Sequence, residues 1–179
     1  MPRQAALALA GCVLVAALLL APRPALADDV SGITKLYRTG QLADALTRAD
    51  AAITASPRDP RPRFLKGVIL LDQKHTAEAQ QVFELLTQDY PELPEPYNNL
   101  AVIYASQGDY QRARNALETV VRLRPDYALA YQNLGDVHLQ LASQAYANAA
   151  RLDATNATVN TRLATIRELL ASGKQAPQP

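Results

Sequence analysis

The chain has 179 residues, enough for one ordinary domain with a buried core. Its formal net charge is +1, so no overall positive field draws it to nucleic acid. Ala and Leu are abundant and Trp is absent, a composition that favours helices over sheets. We therefore expect an all-α protein that does not bind nucleic acid.

Residues 1–27 predict a signal peptide. Arg3 precedes an apolar run at 5–20, and Ala25-Leu26-Ala27 then places small residues at the two positions that a signal peptidase recognises. The run is short for a spanning helix, and no second hydrophobic stretch follows it. We expect cleavage after Ala27, which leaves a periplasmic or secreted mature chain, 28–179, without a membrane span.

Cys12 leaves an alternative for the N-terminal segment. Leu9-Ala10-Gly11-Cys12 matches a bacterial lipobox, in which Cys12 is acylated and becomes the first residue of an outer-membrane lipoprotein. A lipobox cysteine should close the apolar run, whereas here the run continues to Leu20. Cleavage after Ala27 therefore stays the main expectation, and lipidation at Cys12 is the alternative.

A period of 34 residues runs through most of the chain. It is visible in these columns: Pro57, Pro91 and Pro125; Ala45, Ala79 and Ala113; Ala49, Phe83 and Leu117; Leu36, Leu70 and Tyr104; Gly67, Ala101 and Gly135. Within one period, apolar residues follow helical spacing on both sides of Gly108, which can take the left-handed conformation of a helix end. Each unit is thus a helix hairpin that buries its apolar faces only against neighbouring copies.

This pattern resembles the tetratricopeptide repeat. Unit 94–127 matches at nearly every column, with Tyr97 in the place usually held by Trp, whereas the first unit matches only in its second half. The resemblance implies an α-α superhelix of helix hairpins. The implied repeats are about 28–59, 60–93, 94–127 and a degenerate 128–154.

The degenerate unit is five residues too short. Ala113 to Ala142 is 29 residues, where complete units keep 34, and the missing residues include the Gly-Asp-Tyr turn. We therefore predict one fused helix from about Ala128 to Leu152. Its apolar stripe is expected to contain Leu134, His138, Leu141, Ala145, Ala149 and Leu152.

A capping helix at 156–171 is predicted to return antiparallel to the fused helix. Asn156 or Thr155 can cap it, and the residues expected to face the fused helix are Val159, Leu163, Ile166 and Leu170. Residues 172–179 contain two Pro and no apolar periodicity, so a disordered tail is expected.

No residue pattern predicts catalysis or a cofactor, so we expect a protein that is not an enzyme. The mature chain lacks Cys, and His75 and His138 are far apart in sequence, which argues against a metal site. We interpret His75 as a solvated turn residue and His138 as a half-buried packing residue. A monomer is expected.

The resemblance assigns the candidate partner site to the concave groove, which the first helix of each unit lines. The groove positions are Val30, Thr34 and Tyr37; Arg61, Phe64, Val68 and Asp72; Asn98 and Val102; Gln132 and Asp136. These positions are mixed and rather apolar. They do not reproduce the combined set of Lys, Asn and Arg side chains with which some family members hold a C-terminal carboxylate, which argues against that class of ligand.

Exposed apolar residues in a groove favour a protein or peptide partner. The alternative is that Phe64 and Val68 pack against the N-terminal helix. We expect a non-catalytic interaction module of the bacterial cell envelope, which binds a peptide segment or a helix of its partner. The alternative function is an outer-membrane lipoprotein of the same fold that assists assembly of an envelope complex.

Overall fold

The computed structural model describes residues 26–173, with side chains from Asp29 to Ser172. This part of the chain forms eight α-helices and no β-strand: α1 (Leu26–Arg38), α2 (Leu42–Ala55), α3 (Pro60–Asp72), α4 (Thr76–Asp89), α5 (Pro94–Ser106), α6 (Tyr110–Leu123), α7 (Ala128–Leu152) and α8 (Ala157–Gly173). The predicted all-α fold is confirmed. None of these helices is both long and apolar enough to cross a membrane.

Helices α1 to α6 form three consecutive hairpins, and each hairpin packs against the next. The turn inside each hairpin contains one residue in the left-handed region, at the same position of each 34-residue unit. Gly40 and Gly108 have φ of 74° and 80°, and Lys74 has φ of 65°. A side chain is disfavoured in this region, so the second hairpin contains a strained residue where the other two have glycine.

Small and large residues alternate at the interfaces between helices. Ala45, Ala79 and Ala113 are completely buried, and they allow the paired helices to approach closely. Phe83 and Leu117, four residues after Ala79 and Ala113, are also completely buried and belong to the same core cluster. These two 34-residue columns therefore correspond to the core, whereas the prolines of the column Pro57, Pro91 and Pro125 are exposed.

Helix α7 is continuous over 25 residues, about 37 Å at 1.5 Å per residue. The predicted fused helix is therefore confirmed, because no turn separates its two halves. Helix α8 packs against α7, with Leu163 only 7% exposed. Asn156 caps α8, since its Oδ1 accepts a hydrogen bond from the Val159 backbone N–H at 3.1 Å.

The buried face of α7 differs from the predicted stripe. Ala130 and Val137 are buried in the main core, and Leu134 and Leu141 pack partly against it. His138, Ala145 and Leu152 are exposed. The prediction for His138 was wrong because Val137 points into the core, and the next residue of a helix points about 100° away from it.

Both ends of the predicted organisation reach the limits of the described residues. Ala27 lies in the first turn of α1, and Cys12 lies outside the described residues. Helix α8 extends to Gly173, two residues beyond its predicted end, so Ser172 and Gly173 are helical rather than part of a tail. Residues 174–179 lie outside the described residues.

Candidate functional site

The predicted groove residues lie near two cavities. The N-pocket has a volume of about 300 Å³ and is lined by Val30, Pro60, Arg61, Phe64, Leu65, Leu93, Glu95 and Pro96. The C-pocket has a volume of about 520 Å³ and is lined by Ala101, Val102, Ala105, Ser106, Tyr110, Leu117, Asn133, Asp136, Val137, Leu139, Gln140, Leu169 and Leu170. Helix α5 contributes to both, so the two cavities lie along one helix.

The two charged residues of the N-pocket are already paired. Arg61 donates to both carboxylate oxygens of Asp59, from Nε at 2.9 Å and from Nη2 at 2.7 Å. These hydrogen bonds are the main reason why the pKa of Asp59 lies below its usual value. Glu95 forms an ion pair with Arg124 at 2.9 Å. The rest of the N-pocket is apolar, so it suits an aliphatic or aromatic side chain.

Phe64 contacts both the groove and the core. Its ring lines the N-pocket and lies 5.8 Å from the ring of Phe83, tilted by 57°. Val68 is also partly buried against the main core and lines neither cavity. Phe64 therefore both lines the N-pocket and packs on α4, and Val68 packs on the main core. Packing of these two residues against the N-terminal helix stays a prediction.

The C-pocket combines two exposed apolar side chains with an exposed acid. Val102 is 49% exposed on α5, and Leu169 is 51% exposed on α8. Asp136 is exposed on α7 beside them. Leu169 is not among the predicted site residues, because it lies outside the stripe with which α8 was expected to pack on α7. Its only sequence signal was a second leucine beside Leu170.

Six of the predicted groove residues line neither cavity: Thr34, Tyr37, Val68, Asp72, Asn98 and Gln132. Asn98 is only 7% exposed, and its Oδ1 accepts a hydrogen bond from Asn133 Nδ2 at 3.0 Å. It therefore joins α5 to α7 rather than facing a partner. Gln132 is exposed but lines neither cavity, and Thr34 lies in a shallow depression formed by α1 and the residue after it.

Tyr37 and Asp72 interact at the N-terminal side of the groove. The pKa of Tyr37 is raised, first by its hydrogen bond with the Asp72 carboxylate and then by burial. The side chain of Asp72 is otherwise exposed, as is that of Asp136. Since Arg61 is paired with Asp59, the exposed charges at the predicted groove positions are mainly acidic.

A polar cleft of about 380 Å³ lies outside the groove, between α4, α5 and α6. In it, Arg112 Nη2 donates to the Tyr104 hydroxyl at 2.8 Å, and Tyr104 donates to Glu84 Oε1 at 3.0 Å. The pKa of Tyr104 is raised, mainly by burial. The guanidinium also lies 3.9 Å from the centre of the Tyr104 ring, so the cleft is held together by its own contacts.

Within residues 26–173, no group of three or more His, Cys, Asp or Glu side chains is arranged to hold a metal ion. His75 is exposed and lies 3.5 Å from Glu78, as expected for a solvated residue of the second turn. His138, also exposed, lies on α7.

The family comparisons match the repeats. A model described as tetratricopeptide repeat matches residues 34–94, and one described as TPR repeat matches residues 103–141. A search of curated proteins found no significant match.

Several solved structures resemble the fold. The first TPR of Spaghetti (RPAP3), bound to the HSP90 peptide SRMEEVD, has a TM-score of 0.61 at 17% identity, covering 65% of this chain and 93% of that one. The Sgt2 TPR domain from Aspergillus fumigatus has a TM-score of 0.63 at 16% identity, covering 70% and 85%.

A third resemblance is to the Yersinia enterocolitica type III secretion chaperone SycD in complex with a peptide of the translocator YopD. Its TM-score is 0.59 at 16% identity, covering 64% of this chain and 93% of that one. Identities this low establish similarity of fold alone. Together with the two family models, they lead to one conclusion: the chain is built from tetratricopeptide repeats.

Proposed function

We propose that this chain is a non-catalytic protein-interaction module of the bacterial cell envelope. It binds a segment of a partner protein in the concave groove, with apolar side chains of that segment in the N-pocket and the C-pocket. The observation that carries this proposal is the pair of cavities with exposed or accessible apolar walls along α5. The envelope location rests on the predicted signal peptide.

The spacing of the cavities favours an extended segment with two apolar anchors. Pro96 in the N-pocket and Val102 in the C-pocket are six residues apart on α5, about 9 Å along the helix axis. An extended chain covers this distance with about three residues, at roughly 3.3 Å per residue. Similar folds are described as bound to an HSP90 peptide and to a YopD peptide, which supports a peptide as the ligand.

The charges of the groove favour a neutral or basic segment. Asp72 and Asp136 are exposed carboxylates, and Arg61 is neutralised by Asp59. An acidic peptide would bring like charges together, which disfavours binding. The ligand of this groove is therefore expected to differ from the acidic HSP90 peptide of the first structural relative.

Selection of peptides from a random phage-displayed library on the purified protein tests this proposal. We expect enriched peptides to carry two apolar residues and more Lys or Arg than Asp or Glu. Val102→Glu places a charge in the C-pocket, where it must be desolvated on binding, and we expect the enriched peptides to lose affinity. Leu85→Glu is the matched control, since Leu85 is 54% exposed on α4 and lines neither cavity.

Phe64→Glu and Val68→Glu distinguish a role in peptide binding from a role in core packing. Phe64→Glu should weaken binding and also lower the melting temperature, because Phe64 packs on Phe83. Val68→Glu should lower the melting temperature with less effect on binding. The groove proposal fails if the selected peptides bind Val102→Glu and Phe64→Glu as tightly as the original protein.

The mass of the exported protein tests the envelope assignment and its alternative. A chain that begins at Asp28 supports cleavage after Ala27. A chain that begins at an acylated Cys12 would instead establish the outer-membrane lipoprotein.

A further inference from the structure

Glycine at one repeat position marks the face on which the second helix of a hairpin packs. A Cβ atom on Gly67 would lie 2.6 Å from the ring of Phe83, so α4 covers this face of α3 closely. The equivalent Ala101 of the third unit is 1% exposed. Around the equivalent Gly135 of α7, a Cβ atom would meet none of the described residues within 4 Å. Within residues 26–173, no helix therefore covers this face of the fourth unit as α4 covers it in the second.

The neighbours of Gly135 are open in the same way. Tyr131 is 50% exposed, although its equivalent Tyr97 is packed against the core. His138 is exposed, whereas its equivalent Tyr104 is 6% exposed. We call this face of α7, defined by Tyr131, Gly135 and His138, the open slot. It has the dimensions of one helix, because one helix fills it in each complete unit.

The helix that fits the open slot is present in the same chain. Ala142, Tyr146 and Ala149 follow Ala113, Leu117 and Val120 at a constant 29 residues, so the second half of α7 carries the second-helix pattern. It cannot fold back, because the turn is missing and α7 is continuous. Gly135 and Tyr146 lie 11 residues apart on it, about 16 Å along its axis.

We propose that a second copy of this chain fills the open slot, and that the protein is a domain-swapped dimer. The two α7 helices lie antiparallel, so that the second half of each packs on the first half of the other. Tyr146 of each chain then covers Gly135 of the other, as Phe83 covers Gly67 within the second unit. Each chain contributes the same residues to both halves of the interface, as two-fold symmetry requires.

Two features of α7 suit this pairing. Helix α8 runs along its second half, and Arg162 of α8 donates to the Tyr146 hydroxyl at 3.1 Å. Tyr146 nevertheless stays only half-buried, Ala145 beside it is exposed and Leu152 is 84% exposed, so one side of this half is open. From Val137 to Ala150, α7 contains no Asp, Glu, Lys or Arg, so two copies can approach without repulsion between charged side chains. Loss of a hinge turn is a known route to swapping, since the exchanged element keeps its native contacts in the partner.

Restoring the turn tests the proposal. The protein is produced with its own N-terminal segment and purified as the cell processes it, and its mass in solution is measured by light scattering. We expect twice the mass of one chain. Insertion of Ser-Gln-Gly-Asp-Tyr, the residues at 106–110, after Leu139 restores the 34-residue spacing and should give a monomer. A single-chain mass for the original protein, or a dimer that survives the insertion, overturns the proposal.

Cysteine cross-linking tests the register. In a Cys12→Ser background, Gly135→Cys with Tyr146→Cys should form disulfides only between chains, because the two positions are too distant within one helix. Gln132→Cys with Arg151→Cys is the control on other faces of α7 and should remain monomeric under denaturing conditions. Equal cross-linking of both pairs, or cross-linking of the first pair to a different protein, would contradict the second copy as the occupant.

Discussion

Gly67 lies directly against the ring of Phe83, so close that a Cβ atom on Gly67 would lie 2.6 Å from Phe83 Cε1. The third unit has the alternative pair, Ala101 with the smaller Leu117, and both are buried. The two units thus share the space between their helices differently: a large second-helix residue requires glycine opposite it, and a smaller one permits alanine.

We predict that Gly67→Ala lowers the free energy of unfolding by about 1–2 kcal/mol, because overpacking outweighs the helix propensity gained. Phe83→Leu copies the third unit, and in that background the same change should be neutral or stabilising. Urea denaturation of the four proteins gives the coupling energy. Additive effects would show that the contact between Gly67 and Phe83 does not limit packing.

Asn98 is predicted to contribute to stability rather than to partner binding. Asn98→Ala removes the acceptor for Asn133 Nδ2 and leaves a cavity at a position that is 7% exposed. We expect a loss of about 1–3 kcal/mol in thermal or urea unfolding. Peptides selected on the groove should bind this variant unchanged at temperatures where it is folded. Loss of binding without loss of stability would show that Asn98 contributes to partner binding in the groove.

Stability should fall at alkaline pH through Tyr104. Its pKa is raised in the folded protein, mainly by burial and then by Glu84, so the native state holds this proton above the usual tyrosine pKa of about 10. The unfolded state therefore binds fewer protons there, and the free energy of unfolding decreases as pH rises through that window. Below about pH 10 this contribution is fully present.

Tyr104→Phe should reduce the alkaline slope, measured as the melting temperature between pH 9 and pH 11. Tyr37→Phe is an informative comparison, because the pKa of Tyr37 is raised mainly by its hydrogen bond with Asp72. If neither variant changes the slope, titration of these two tyrosines is not what links stability to pH.

Helix α8 is predicted to keep α7 from aggregating. Leu163 is its buried contact with α7, and Leu163→Asp places a charge there. We expect faster amide exchange in α8 and in the second half of α7. Truncation after Ala154 should have the larger effect, with aggregation through the uncovered side of α7. A truncated protein that does not aggregate, and that keeps the melting temperature of the original protein, would show that α8 is dispensable.

The sequence alone determined the repeat architecture and the fused helix. The 34-residue columns mark which residues face a neighbour, and the glycine turns mark where each helix ends, so both are local signals. The loss of five residues between Ala113 and Ala142 predicts a continuous α7, and the observed helix runs from Ala128 to Leu152. Backbone conformation follows from such signals because a helix continues wherever no turn residue or proline interrupts it.

Only the tertiary structure decided which way α7 and α8 face. Val137 rather than His138 enters the core. Leu169, which was not expected to face α7, lines the C-pocket beside Val102 together with Leu170. Asn98, a groove position by its place in the repeat, is buried by Asn133. Rotation of a helix about its own axis is set by side chains on other helices. In the first three units a repeated partner helix makes that rotation predictable. In the fourth unit, the part of the chain that the structure describes contains no second helix folded back on the first half of α7.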